Sequence, residues 1–248
     1  EPMPLGVIVT ASGTGSECNG GAVITNEEVM IKTDRDYPKC NPEFALMDPT
    51  YTYTVPTKQM VAGSFDILSH VMETYFSEPD DLMRGVITSL RAALVNPEDY
   101  TARSNLMWLS TMAENRIIKL GKKCDFECHQ MEHQISAYTN CSHGCGLAVL
   151  HPVYYRHICQ AGAKKFTRFA ENVWKIPRNG RTDEEMAEAG VEALADFIRE
   201  IGLPTTLREV GVEKKEDLKE IADSCYLVDE SYKKMTHEEI LEIFLECF

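Results

Sequence analysis

HQMEHQISAYTNCSHG, residues His129 to Gly144, and the shorter FDILSH, Phe65 to His70, decide how this chain is read. Asp66 and His70 stand four residues apart, as do His129 and His133, so on a helix each pair shares one face. His143 follows ten residues after His133, at the next turn. Asp66, His70, His129 and His143 together offer one carboxylate and three imidazoles, a donor set suited to zinc or ferrous iron. His133 is then left over beside the metal as a proton carrier. The spacing alone leaves a second reading open, in which these are capped or solvated helix positions. Of the seven histidines, His151, His157 and His237 fall outside the pattern, and structural or surface roles are expected for them.

Both windows sit in long stretches of helical period. Gln59 to Phe76, Thr101 to Leu120, Phe126 to Tyr138, Leu147 to Ala161, Ala163 to Trp174, Asp183 to Ile201, Lys214 to Cys225 and His237 to Phe248 all repeat apolar residues at helix spacing. Thr182 or Asp183 caps one of them, Glu185 lies in its first turn, and Gly202 with Pro204 stops it. Before Pro56 the pattern differs: Val7–Thr10, Ala22–Thr25 and Phe44–Met47 are short strand-like runs between turn residues. Three such strands cannot enclose a core of their own. The expected fold is therefore mainly α, with residues 58–248 as an all-helical metal-binding domain. Residues 1–57 read as strands left from a preceding α/β nucleotide-binding domain.

Composition limits the partners. A formal net charge of −14 repels a phosphate backbone, so nucleic acid is not expected. No apolar run approaches the roughly 20 residues needed to span a bilayer. The opening Glu1-Pro2-Met3-Pro4 has no basic n-region, and the nine cysteines are an odd number. Reduced thiols and a cytosolic location are expected. Cys124, Cys128, Cys141 and Cys145 form two C-x3-C pairs. Their spacing is wider than the usual zinc knuckle, so buried thiols are favoured over a four-cysteine zinc site.

TASGTGSE, Thr10 to Glu17, follows the first strand. Its glycines allow close backbone approach, and its hydroxyls and N–H groups can cradle an anion such as a pyrophosphate. It is not the G-x-G-x-x-G fingerprint. Together with the histidine spacing it resembles the iron-containing (group III) alcohol dehydrogenase family, in its butanol-dehydrogenase-like branch. Ala22–Thr25, Asp48-Pro49, Tyr51–Thr54, Asn96–Tyr100 and Met107-Trp108 are similar to further landmarks, so the likeness runs along nearly the whole chain.

The resemblance implies a dehydroquinate-synthase-like helical domain and a metal- and nicotinamide-dependent alcohol or aldehyde oxidoreductase, acting on short primary alcohols such as butanol. It implies Fe2+ or Zn2+ held by Asp66, His70, His129 and His143, with His133 near the nicotinamide. Thr10, Gly13, Thr14, Gly15, Ser16, Asn19, Lys32 and Thr54 fall where family members meet NAD(H) or NADP(H), and a homodimer is implied. A glycerol-dehydrogenase-like polyol oxidoreductase, a dehydroquinate-synthase-like enzyme and a non-catalytic metal-binding fragment are the competing readings. The family's nucleotide-binding half has no counterpart here, and the stretch from Glu78 to Asn96 is shorter than in relatives. A fragment is therefore expected, with a break in Cα spacing between Glu78 and Arg91, too few residues there for the family's helix, and on the N-terminal strands an edge that is unpaired or covered by another chain.

Overall fold

In the computed structural model, which describes residues 2–75, 82–115, 124, 126–229 and 232–248, helix begins where the sequence period changes. α1 (Thr57–Tyr75) is buried nearly all round from Met60 onward. A helix buried on nearly every side needs neighbours on those sides. α2 (Leu82–Val95), α3 (Tyr100–Glu114) and α5 (His143–Ile158) supply them. α4 (Glu127–Thr139) packs on α5, and α7 (Asp183–Glu200) on α6 (Ala163–Arg168) and α5. α8 (Asp217–Asp223) and α9 (His237–Cys247) close the far side, with α9 against α5. The core is thus helical, and among the described residues no helix is long and apolar enough to cross a membrane.

Local signals set the ends of these helices. Thr182 caps α7 and its hydroxyl accepts from the Glu185 N–H, while the Glu185 carboxylate accepts from the Thr182 N–H. Gly202, at a φ of +72°, ends that helix as expected. Asn140, at a φ of +52°, ends α4 and turns the chain at once into α5. This tight turn returns His143 to the face of α4 that carries His129 and His133. Gly144 then lets α5 touch α1, since a Cβ there would collide with the Ala62 carbonyl oxygen.

Several expectations need correcting. The three expected strands do not form one sheet among the described residues. β1 (Gly6–Ile8) pairs in parallel with β4 (Phe44–Leu46), whereas β2 (Gly21–Asn26) pairs antiparallel with β3 (Ile31–Asp36). β3 is an addition to the expected strands, because IKTDRD is polar and mostly exposed and so lacks strand alternation. A short turn joins β2 to β3, with Met30 at a φ of +52°, and local hairpin closure outcompetes longer pairings. Each sheet is two strands wide, so its outer edges have no strand neighbour among the described residues.

The stretch expected to be too short for the family's longer helix, and not among the expected helices, contains α2, 14 residues long. Residues 82–91 run as continuous helix, so the expected break in Cα spacing does not fall there. The rest of that window, residues 78–81, lies outside the described residues, as do residue 76 and residues 116–120 at the ends of two expected helices. The helix expected from Ala163 to Trp174 becomes a π-turn at Phe169–Val173. There the chain bends around Gly190 of α7, where a Cβ would stand 3.1 Å from the Ala170 Cβ.

Candidate metal centre

Three helices bring four side chains to one point. α1 carries Asp66 and His70, α4 carries His129, and His143 is the first residue of α5. The Nε2 atoms of His70, His129 and His143 lie 3.7, 4.0 and 3.6 Å from Asp66 Oδ1. Donors about 2.1 Å from a shared cation stand about 3.4 Å apart in a tetrahedral set. The three distances to Asp66 Oδ1 are close to that value. Asp66, His129 and His143 form the tighter group, with donor atoms within 4.8 Å of one another, and His70 reaches Asp66 from outside it. Asp66 Oδ1 and His129 Nε2 are buried and make no hydrogen bond. An unpaired buried polar atom costs about 1–3 kcal/mol, and a cation between these atoms would satisfy them. The donor set therefore fits a divalent metal with nitrogen and oxygen ligands.

Two residues that the spacing did not reveal lie behind this set. Glu73 of α1 pairs with His129 Nδ1, and Glu132 of α4 pairs with His143 Nδ1. Both carboxylates are buried, at 1% and 0% exposure. Their placement was readable in part: Glu73 follows His70 by one helical turn, and Glu132 follows His129 likewise. Charged residues on otherwise buried faces were the available sign. His70 differs, since its Nδ1 makes no hydrogen bond among the described residues and faces a Glu114 carboxylate oxygen 3.9 Å away.

The electrostatics follow from these contacts. Burial pushes His129 well below the ordinary imidazole value, and the neighbouring His70, His143 and His133 add to the effect. Burial acts the same way on His143, but the Glu132 carboxylate outweighs it and raises that group. Burial would raise Glu132, yet His143 and its hydrogen bond hold it below the usual carboxylate range. His133 is pushed down to about 4, chiefly by burial. Its ring centroid stands 5.5 Å from that of His143 and 6.2 Å from that of His129, and its Nδ1 has no hydrogen-bond partner.

The loop Thr10–Glu17 lies against this centre, but not as an open anion cradle. Ser110 of α3 accepts from the Gly13 and Gly15 N–H groups at 3.2 and 3.1 Å and donates to the Gly13 carbonyl at 3.0 Å. Those two N–H groups are thereby committed to the protein. Gly63 of α1 admits the loop, since a Cβ there would be 2.5 Å from the Ser12 carbonyl oxygen. Gly13 in turn sits close enough that its Cβ would be 3.7 Å from Asp66 Oδ2.

Two cavities meet at the centre. The larger, about 860 Å³, is walled by Thr14, Ser16 and Asn19, the β2–β3 hairpin, Phe126 and all five residues of the histidine–aspartate group. The smaller, about 270 Å³, is walled by Gly13, Thr14, Gln59, Arg103 and others, and reaches Asp66 and His143. Of the expected cofactor contacts, Gly13, Thr14, Ser16 and Asn19 line a cavity. Thr10, Gly15, Lys32 and Thr54 line neither. Lys32 points instead to Glu132, its Nζ 3.8 Å from Oε2, and its carbonyl accepts from the Gln134 side chain at 3.1 Å. The cysteine pairs form no site: none of the metal-capable groups among the described residues includes a cysteine. His151 pairs with Ser69 inside the core, and His157 with Glu246 nearer the surface.

Sequence and structure comparisons agree with one another. Residues 60–248 match the Fe-containing alcohol dehydrogenase family, C-terminal, and residues 1–49 match iron-containing alcohol dehydrogenase. NADH-dependent butanol dehydrogenase A of Clostridium acetobutylicum is 36% identical, over 99% of this chain and 67% of its own length. NADPH-dependent aldehyde reductase YqhD of Escherichia coli is 32% identical, over 85% of this chain and 57% of its own. The crystal structure of NADH-dependent butanol dehydrogenase A from Thermotoga maritima superposes with a TM-score of 0.91 at 27% identity, covering 99% of this chain and 66% of that one. The chain thus spans about two thirds or less of the length of these relatives.

Proposed function

Because the chain belongs to the iron-containing alcohol dehydrogenase family, we propose that Asp66, His70, His129 and His143 hold a divalent metal, iron or zinc, in an NAD(P)-linked alcohol or aldehyde oxidoreductase. The observation that carries this reading is the convergence of three imidazole Nε2 atoms on Asp66 Oδ1 at the junction of two cavities. When bound, the metal supplies Lewis-acid polarisation of a carbonyl oxygen and the nicotinamide supplies or takes up reducing equivalents.

The chain's own residues do the rest. Asp66 and His143 present the centre to both cavities, so two small molecules can approach it from different sides. Phe126 lies tilted against His70 and His129, with centroids 6.4 and 5.0 Å away, and gives that wall an apolar face. His133 is neutral at pH 7 and lines the larger cavity, where its imidazole can relay the proton that an alcohol gives up. Thr14 and Ser16, whose hydroxyls hydrogen-bond each other, face the cofactor along the same wall, and Asn19 holds the loop there by donating to the Thr14 and Gly15 carbonyls. Short primary alcohols such as butanol are the substrate class, as in the names of the butanol dehydrogenase relatives.

Protein purified without chelator is assayed for bound metal and for oxidation of NADH and NADPH with butanal. About one metal ion per chain and turnover that disappears in His143→Ala are expected. Metal binding with no turnover under either cofactor would replace the enzyme reading with a metal-binding one. No metal binding at all would overturn the site.

A further inference from the structure

We propose that Glu73 and Glu132 are positioning residues, each fixing the tautomer and direction of one ligand imidazole, while among the described residues no carboxylate hydrogen-bonds His70 Nδ1. This rests on the metal reading above.

Each carboxylate is held at two points. Glu73 Oε1 accepts from the Cys128 N–H at 3.0 Å, in the first turn of α4, and Oε2 pairs with His129 Nδ1. The free N–H groups of a helix start attract a carboxylate, so α4 itself orients Glu73. Glu132 Oε1 accepts from Ser136 one turn further along α4, and Oε2 pairs with His143 Nδ1, with Lys32 beside it. Gly146 makes room, since a Cβ there would be 2.7 Å from Glu132 Cγ. A glycine one turn into α5 costs helix stability, and here it admits a buried carboxylate.

A carboxylate at Nδ1 keeps the proton on that nitrogen. The Nε2 lone pair is then free and aimed at Asp66 Oδ1, and the imidazole becomes a stronger donor. Two of the three imidazoles receive this support, on α4 and α5. Along α1 the supporting side chain goes across to His129, and His70 Nδ1 makes no hydrogen bond among the described residues.

The test measures Co2+ affinity of the full chain from its visible absorption, with chelator competition for the tight variants. Glu73→Ala and Glu132→Ala should each weaken binding about 10–100-fold. Glu73→Gln and Glu132→Gln, which keep an acceptor without the charge, should weaken it less. Glu127→Gln is the control, being a buried carboxylate on the same helix whose Oε2 accepts from the Val228 N–H at 2.7 Å rather than from a ligand imidazole. It should leave the affinity unchanged. Circular dichroism of the metal-free proteins identifies any alanine variant that fails to fold, and the glutamine pair then carries the test. Equal losses in Glu127→Gln, or no loss in either glutamine variant, would overturn the positioning role. If the unsubstituted protein binds no Co2+, the metal reading itself has failed, which is a distinguishable result.

Discussion

At the scale of single residues, the difference between His143 and His133 is one of partners. His143 has Glu132 behind it and Asp66 in front, whereas His133 has no hydrogen bond at Nδ1. Replacing His143 by alanine should therefore lower metal content and activity together. Replacing His133 should slow turnover about 100-fold or more while metal content stays intact. Metal analysis beside initial rates separates the two, and loss of metal in His133→Ala would mean that ligand and proton carrier have been exchanged. His151 gives a different test. It is fully buried against Ser69 and Tyr155, and burial lowers it to about 3. Unfolding returns it to about 6.5, so between those values the unfolded chain binds the extra proton. Stability from this group is present above pH 6.5 and falls as the pH drops, by about 1.4 kcal/mol per unit. Urea denaturation from pH 7 to 4 should show a shallower acid loss in His151→Gln than in the unsubstituted protein.

Elements matter through their points of contact. The loop Thr10–Glu17 is fixed to α3 by the Ser110 hydroxyl, which makes three hydrogen bonds, and by the Thr111 hydroxyl, which donates to the Glu17 carboxylate. Ser110→Ala leaves the Gly13 and Gly15 N–H groups without that partner, at about 1–3 kcal/mol for each one left buried. The expected outcome is a lower Tm and a raised KM for the cofactor, with metal content unchanged. The contact between α5 and α1 is tighter still. Gly144→Ala would drive a methyl into the Ala62 carbonyl, costing about 1–3 kcal/mol or more, and would move His143 away from Asp66. Thermal melts with and without Co2+ should show that variant losing both stability and the stabilisation by metal.

For the whole molecule, the ligands come from α1, α4 and α5, three helices that meet only in the folded chain. A metal that binds only that state should stabilise it by about 2.7 kcal/mol at a free concentration a hundred times its Kd. Stripping the metal with a chelator should lower the Tm, and restoring it should raise the Tm again. The same treatment of His143→Ala should change little.

Asp66 with His70 and His129 with His133 were legible from sequence because helical period makes residues four apart neighbours, whatever lies around them, and His143 stood out as the donor at the following turn. The α7 cap at Thr182 and the stop at Gly202 were legible for the same reason, being set within a few residues. β3 was not, since a polar exposed strand exists only through its partner β2. Nor was α2, whose existence was obscured by comparison of length with other proteins. Glu73 and Glu132 carried a faint sign, yet which histidine each one holds depends on how α1, α4 and α5 pack. The roles of Ser110, Lys32 and Gly146 likewise arise from contacts between distant segments. Sequence determined the helices and the kinds of donor they carry, because those depend on local spacing. Tertiary structure decided which donors meet, which are supported and which loop N–H groups are already spent, because burial and hydrogen bonding across elements exist only once the helices pack.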